Sequence, residues 1–241
     1  MDTILQWNLQ SYRTKFGQMK HLLHTHSPLC VCLQETLLNR QLHAFPPSHY
    51  NLLPSVPVLQ DGHERGAALL IHRRVPFTRL NLNTTLQAVA ATLHIRRNIT
   101  VCSLYLPHIP VTLAALSQLI AQLPTPFLLL GDFNVSSPLW QSGHVVTNER
   151  GRIVEDLLLQ YPISILNDFS FTHYHIQTNT YSTIDLSICS SQLLTEFEYT
   201  VLPHLHDSDH FPILLKRREP LLSAASCPRF KIHRADWTSF T

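Results

Sequence analysis

The chain has 241 residues, 44% of them apolar and only 14% charged. That composition excludes a disordered chain, a collagen-like repeat and a coiled coil, and it supplies ample apolar material for a core. The formal charge of +2 is unevenly placed: through residue 210 there are 12 Lys+Arg against 14 Asp+Glu, and from 211 onward 6 against 2. The body is no polycation, so an anionic partner has to be held by local geometry.

In chain order, Thr3–Trp7 reads as a strand. Lys15–His26 reads as a helix, with Phe16, Met19, Leu22 and Leu23 at helical spacing and Pro28 ending it. Leu29–Leu33 is a second strand, completing a β–α–β opening. Ala67–His72, Gln87–Ile95 and Ile99–Tyr105 are further strands, the last two joined by a tight turn at 96–98. Val111–Leu123 is a helix between Pro110 and Pro124, and Phe127–Leu130 is a short apolar run of the kind a buried strand makes. A helix starts at Asn148 or Glu149, and strands follow near Ser164–Leu166, Thr183–Ile188, Phe197–Leu202 and Phe211–Lys216. About ten strands and three or four helices, with hairpins and crossovers, indicate an α/β protein with a mixed sheet system and helices outside. No linker interrupts the body, so residues 1–217 are expected to form one domain, with 218–241 a basic linker.

Five cysteines without a disulfide spacing, and no leader-like start, predict a reduced, intracellular protein. The apolar runs are far shorter than the ~18–20 residues of a membrane helix, so no membrane partner is expected.

Polar residues recur where apolar strands end: Asn8, Glu35, Asp132 with Asn134, and Asp209 with His210. Asp185 lies inside its strand, where a carboxylate has to be paired or hydrogen-bonded. Open sheets collect their sites at strand ends. Glu35, Asp209 and the amide oxygen of Asn8 make an oxygen-only set suited to Mg²⁺ or Mn²⁺. Asp185 can hold the ring of His210 and favour its charged form. Asp132 can act as base toward water, with Asn134 orienting that water or a phosphate oxygen. These parts suit in-line attack on a phosphodiester.

Gln6-Trp7-Asn8, Leu33-Gln34-Glu35-Thr36, Tyr105-Leu106-Pro107, Gly131-Asp132-Phe133-Asn134, Ser182-Thr183-Ile184-Asp185 and Ser208-Asp209-His210 resemble, in this order, the motifs of the endonuclease/exonuclease/phosphatase superfamily. Pro138-Leu139-Trp140 and Asn148-Glu149-Arg150-Gly151-Arg152 resemble more closely the apurinic-type endonuclease domain of LINE-like (non-LTR) retrotransposons. The resemblance implies a four-layer α/β/β/α sandwich of two mixed, mostly antiparallel sheets of the DNase I kind. It implies Mg²⁺-dependent nicking of DNA to leave a 3′-hydroxyl that primes reverse transcription, by a monomeric domain normally fused to a reverse transcriptase and acting in the nucleus. It makes Glu35 a metal ligand, with Asn8 beside it and Asp209 a second carboxylate near the metal. Tyr105 and Asn134 would contact the scissile phosphate, Asp132 would serve the nucleophile or leaving group, and Asp185 would pair with His210. Ser182, Thr172 and His173 match positions bordering the phosphate and a DNA-contacting hairpin.

The chain departs from the pattern at Gln10 and Ser11, where the superfamily usually has Asp or Asn followed by Gly. That weakens a second metal ligand there. Other readings are an abasic-site repair endonuclease, another phosphoesterase of the superfamily, or an inactive DNA-binding remnant. Residues 229–237 resemble the segment leading to the polymerase in such elements, and no polymerase motif follows within the 241 residues.

Overall fold

The structure, a computed structural model, describes residues 2–38, 45–55, 65–143 and 145–218. The expected linker therefore lies outside the described residues, apart from its first residue. Two six-stranded sheets face each other. The first contains β1 (Thr3–Asn8), β2 (Cys30–Gln34), β3 (Tyr50–Pro54), β4 (Ala67–His72), β13 (Phe197–Val201) and β14 (Ile213–Arg217), in the order β13-β14-β1-β2-β4-β3. The second contains β5 (Phe77–Leu80), β6 (Gln87–Leu93), β7 (Ile99–Tyr105), β8 (Phe127–Asp132), β9 (Ile163–Ile165) and β12 (Asp185–Ser190), in the order β5-β6-β7-β8-β12-β9. A two-stranded ribbon, β10 (His173–His175) with β11 (Thr180–Ser182), stands apart from both.

Each sheet has one parallel pair at its centre, β1 with β2 and β7 with β8, and antiparallel pairs elsewhere. A parallel pair needs a crossover, and here it is a helix in both cases. The crossovers are α1 (Phe16–His26) and α2 (Leu113–Ala121); a third helix, α3 (Glu149–Gln160), follows β8.

Alternation along the central strands explains the four layers. Ile4, Cys30, Cys32, Leu69 and Ile71 of the first sheet meet Val89, Val101, Leu128 and Leu130 of the second in one cluster between the sheets. Leu5, Trp7, Val31, Leu33 and Leu70 point the other way, onto Met19, Leu22 and Leu23 of α1. Ala90, Cys102, Leu104, Leu129 and Ile188 pack against Leu116, Leu119 and Ile120 of α2 and Val154 and Leu157 of α3. Strands covered on both faces read as continuous apolar runs. Each fully buried Leu of the 128–130 run contributes on the order of 1.5–3 kcal/mol. Cys30, Cys32, Cys102 and Cys189 are free and buried, so they act as small core residues. No helix among the described residues is long and apolar enough to cross a membrane.

The structure corrects several sequence expectations. It has more strands than the ten expected: β3, β5, β10 and β11 were not anticipated. These lie at sheet edges or in the separate ribbon; exposed polar residues break the apolar signal in β5, β10 and β11, and Asn51 and Pro54 break it in β3. Asp185 opens β12 rather than lying inside it. The last strand begins at Ile213 rather than Phe211, which leaves Asp209 and His210 in the preceding loop.

Candidate active site

The carboxyl ends of both parallel pairs open on the same side of the sandwich. The side chains there line a cleft of about 740 Å³, among them Glu35, Tyr105, Asp132, Asn134, Asp209 and His210. Strand register places the core of the site. Asp132, the last residue of β8, lies opposite Tyr105 of β7 on one side and Asp185 of β12 on the other. Residues directly paired across strands share a face, so these three side chains project together.

Asp132 is 1% exposed and is gripped from three directions. Asn8 Nδ2 donates to Oδ2 at 2.9 Å, Asn134 Nδ2 donates to the same oxygen at 3.2 Å, and the Asn134 backbone N–H donates to Oδ1 at 3.0 Å. Burial, with the neighbouring Asp185 and Glu35 charges added, raises its pKa to about 7 against the pull of His210. Asn134 adopts a left-handed φ of 52°, a conformation that asparagine tolerates. Its second amide hydrogen goes to the Leu106 carbonyl at 3.0 Å. Both N–H bonds of its side chain are thereby used. In this arrangement Asn134 orients Asp132, and its amide hydrogens are not free for the phosphate contact that the resemblance implied.

His210 is buried, and its Nδ1 lies 2.8 Å from Asp185 Oδ2. Burial alone would lower its pKa, but the charge and hydrogen bond of Asp185, with Asp132 and Asp209 nearby, push it up to about 9. Asp185 is itself fixed by Thr172. The buried Thr172 hydroxyl accepts from the backbone N–H of Ile184 at 3.2 Å and of Asp185 at 3.1 Å. Thr172 is fully buried and supports the strand end from the position directly before the β10 hairpin. Two residues of the quoted motifs serve as anchors, a role that the sequence reading did not assign. Trp7 Nε1 donates to the His210 carbonyl at 3.0 Å, and the Ser208 hydroxyl donates to the Asn8 carbonyl at 2.8 Å.

His173 and Ser182 pair across the ribbon and come to the cleft wall. His173 Nδ1 lies 3.3 Å from Ser182 Oγ, and its Nε2 lies 3.5 Å from Asp209 Oδ2. Burial would raise the pKa of Asp209, but contact with His173 and the charges of His210 and His173 hold it below the ordinary carboxylate value. Among the described residues Asp209 Oδ1 is buried without a hydrogen-bond partner, 3.6 Å from His210 Nε2.

Glu35 follows β2 with a left-handed φ of 50°, a strained conformation for this residue type that clusters at functional sites. Its carboxylate pairs with Arg65 Nη1. Backbone bonds from Thr36 N to Gly66 O and from Leu37 N to Arg65 O hold the two segments together. Tyr105 is buried beside Glu35 and Asp132, and burial, with these two charges, pushes its pKa above the usual phenol value.

The ligand set expected for a metal does not form one tight cage. The groups of three acidic or histidine ligand atoms within 4.8 Å are His173, Asp209 and His210, and Asp132, Asp185 and His210. Glu35 is in neither group among the described residues, and Asn8 Oδ1 accepts from Gln10 N at 3.2 Å. Gln10 itself has a left-handed φ of 56° and lines the cleft where the resemblance leads one to expect Asp or Asn. The residues still suit a hard dication. Several carboxylates share the cleft, one offers an orphaned buried oxygen, and Mg²⁺ commonly takes only one or two carboxylates with waters and phosphate completing its shell.

Residues 99–214 match the family described as endonuclease-reverse transcriptase. Solved structures with the same fold include the endonuclease domain of TRAS1, a telomere-specific non-LTR retrotransposon, at 21% identity and a TM-score of 0.75, covering 90% of this chain and 98% of that one. An AP endonuclease from Archaeoglobus fulgidus aligns at 18% identity and a TM-score of 0.69, covering 91% and 100%. A 3′ phosphatase, NExo, from Neisseria, solved with a product DNA hairpin, aligns at 16% identity and a TM-score of 0.70, covering 91% and 100%. No curated protein matches the chain in sequence.

Proposed function

We propose that the chain is of the endonuclease/exonuclease/phosphatase superfamily, a reading supported by the family match over residues 99–214 and by the shared fold, and that it is a divalent-metal-dependent endonuclease that nicks DNA by phosphodiester hydrolysis and leaves a 3′-hydroxyl for target-primed reverse transcription. The observation that carries this reading is the arrangement of two differently tuned acid–base groups on one cleft. Asp132 has a pKa raised to about 7, and His210 one raised to about 9. At neutral pH a substantial fraction of Asp132 is ionised while His210 stays charged, which suits one to accept a proton and the other to stabilise an anion.

Asp132, oriented by Asn8 and Asn134, accepts the proton of the attacking water. The His210 imidazolium, held by Asp185, places positive charge beside the phosphoryl oxygens as negative charge grows there. Tyr105, kept protonated, donates its hydroxyl to a phosphate oxygen. His173 and Ser182 bound the far wall of the cleft. Glu35 and Asp209, with the Asn8 amide oxygen, are the residues that would hold Mg²⁺ or Mn²⁺, which supplies Lewis-acid neutralisation of the phosphate when bound. The TRAS1 endonuclease domain and the endonuclease-reverse transcriptase family support the retrotransposon branch of this reading and fusion to a reverse transcriptase; a monomeric nuclease domain acting in the nucleus completes the proposal.

The test is incubation with supercoiled plasmid and Mg²⁺, beside an EDTA control and an Asp209→Ala/His210→Ala double variant. Nicked circles from the wild type alone, with 3′-hydroxyl ends, are the expected result. Intact plasmid from folded wild-type protein would overturn the reading; cleavage confined to abasic plasmid would move it to repair.

A further inference from the structure

Two buried imidazoles meet in one corner of the cleft, with the ring centroids of His173 and His210 4.5 Å apart. Backbone bonds fix this approach. Tyr174 N donates to Asp209 O at 2.8 Å and Phe211 N to Thr172 O at 2.8 Å, which zips the ribbon to the loop and sets His173 opposite His210. Side chains carried on backbone held in this way are preorganised.

The ring nitrogens divide into two sets. Nδ1 of each ring already meets an oxygen, Asp185 Oδ2 at 2.8 Å for His210 and Ser182 Oγ at 3.3 Å for His173. Nε2 of each faces Asp209 instead, 3.6 Å from Oδ1 for His210 and 3.5 Å from Oδ2 for His173. Those separations exceed an ordinary hydrogen-bond length. They lie close to the edge of a tetrahedron around Zn²⁺, about 3.4 Å when each ligand atom is about 2.0–2.2 Å from the ion. One ligand atom from each of the three residues lies within 4.8 Å of the other two. Among the described residues Asp209 Oδ1 is buried with no donor, an acceptor that lacks its partner. Oxygens on the outer ring nitrogens are what orient histidines toward a metal. Two imidazoles with one carboxylate suit Zn²⁺ better than Mg²⁺, which prefers oxygen alone. Glu35 has no part in this group.

We propose that His173, Asp209 and His210 form a Zn²⁺ site separate from the Mg²⁺ position centred on Glu35, and that Zn²⁺ seated there arrests the enzyme. The ion binds Nε2 of both rings, releasing any proton there to solvent, and claims Asp209 from the Mg²⁺ set. The site stands on its geometry; the arrest rests on the nuclease reading.

Titration of tag-free, Mg²⁺-free protein with Co²⁺ tests the site, because four-coordinate Co²⁺ absorbs visible light far more strongly than the hydrated ion. One equivalent is expected to bring up that absorption, which Zn²⁺ displaces and a large excess of Mg²⁺ does not. His173→Asn is expected to weaken Zn²⁺ binding by at least about 100-fold, beyond the loss of an outer partner, while His204→Asn, at an exposed histidine, keeps the wild-type affinity. No absorption, or undiminished Zn²⁺ affinity in His173→Asn, overturns the site. If that variant does not fold, the shifts of the His173 and His210 ring resonances on adding Zn²⁺ to the wild type decide. One equivalent of Zn²⁺ should also stop Mg²⁺-dependent nicking of plasmid; nicking that survives saturating Zn²⁺ overturns the arrest. Protein that takes up Co²⁺ as expected yet never nicks plasmid sinks the nuclease reading, and the arrest with it, and leaves the site standing.

Discussion

Asp185 and His210 show how one contact sets both charge and stability. The folded pKa of His210, about 9, lies above the ordinary 6.5, so the protonated ring favours the folded state. Its stabilisation is fully present below pH 6.5 and is lost as pH rises through 9, a loss on the order of 3 kcal/mol. Asp185→Asn removes the main raising cause and leaves burial, which lowers the pKa. Metal-free wild type should therefore lose stability to denaturant between pH 6.5 and 9, while Asp185→Asn starts lower and loses less over that window. The same two groups shape activity. Nicking should rise through pH 7 or below as Asp132 ionises and fall near pH 9 as His210 loses its proton. A flat pH–rate profile from 6 to 10 would rule out these assignments. Thr172 offers a third residue-level test. Thr172→Val leaves the buried N–H groups of Ile184 and Asp185 without an acceptor, at about 1–3 kcal/mol each. Thr172→Ser keeps the oxygen and should recover most of that loss in chemical denaturation.

Elements bring these residues together through the close approach of β7 and β8. A Cβ added at Gly131 would lie 1.9 Å from the Leu104 carbonyl oxygen, in a backbone-to-backbone clash that no side-chain rotation relieves. Gly131→Ala should cost several kcal/mol, at or above the usual overpacking range. It should lower the melting temperature sharply and displace Asp132, the next residue. Normal stability in that variant would mean that the two strands can separate without harm. The sheets are also joined beneath the site. Gln6 bridges to the Gly131 carbonyl at 3.0 Å and to Ser187 at 2.9 Å, while Gln34 reaches Ser103 at 2.9 Å. Polar residues inside otherwise apolar strands were visible in the sequence, but their partners lie up to 181 positions away. Such a distance leaves no local signature.

Across the whole molecule, the cleft sits where two sheets present their strand ends together, so a dication bound there would tie the halves to each other. Mn²⁺ or Mg²⁺ at about 100 times its dissociation constant should stabilise the fold by roughly 2.7 kcal/mol. Glu35→Gln should abolish that gain in thermal melts while leaving the metal-free melting temperature little changed. Full metal stabilisation in Glu35→Gln would remove Glu35 from the ligand set. The sequence by itself determined the α/β class, the β–α–β opening and the strand-end polar residues. Hydrophobic periodicity and turn residues are local, and they govern each segment independently. Only the tertiary structure decided that Asn134 spends its amide on Asp132, that Thr172 is buried behind Asp185, that Arg65 faces Glu35 and that His173 lies against Asp209. Those outcomes depend on register and on sheet-to-sheet packing, in which distant residues compete for the same hydrogen-bonding groups, and no stretch of sequence encodes that competition alone.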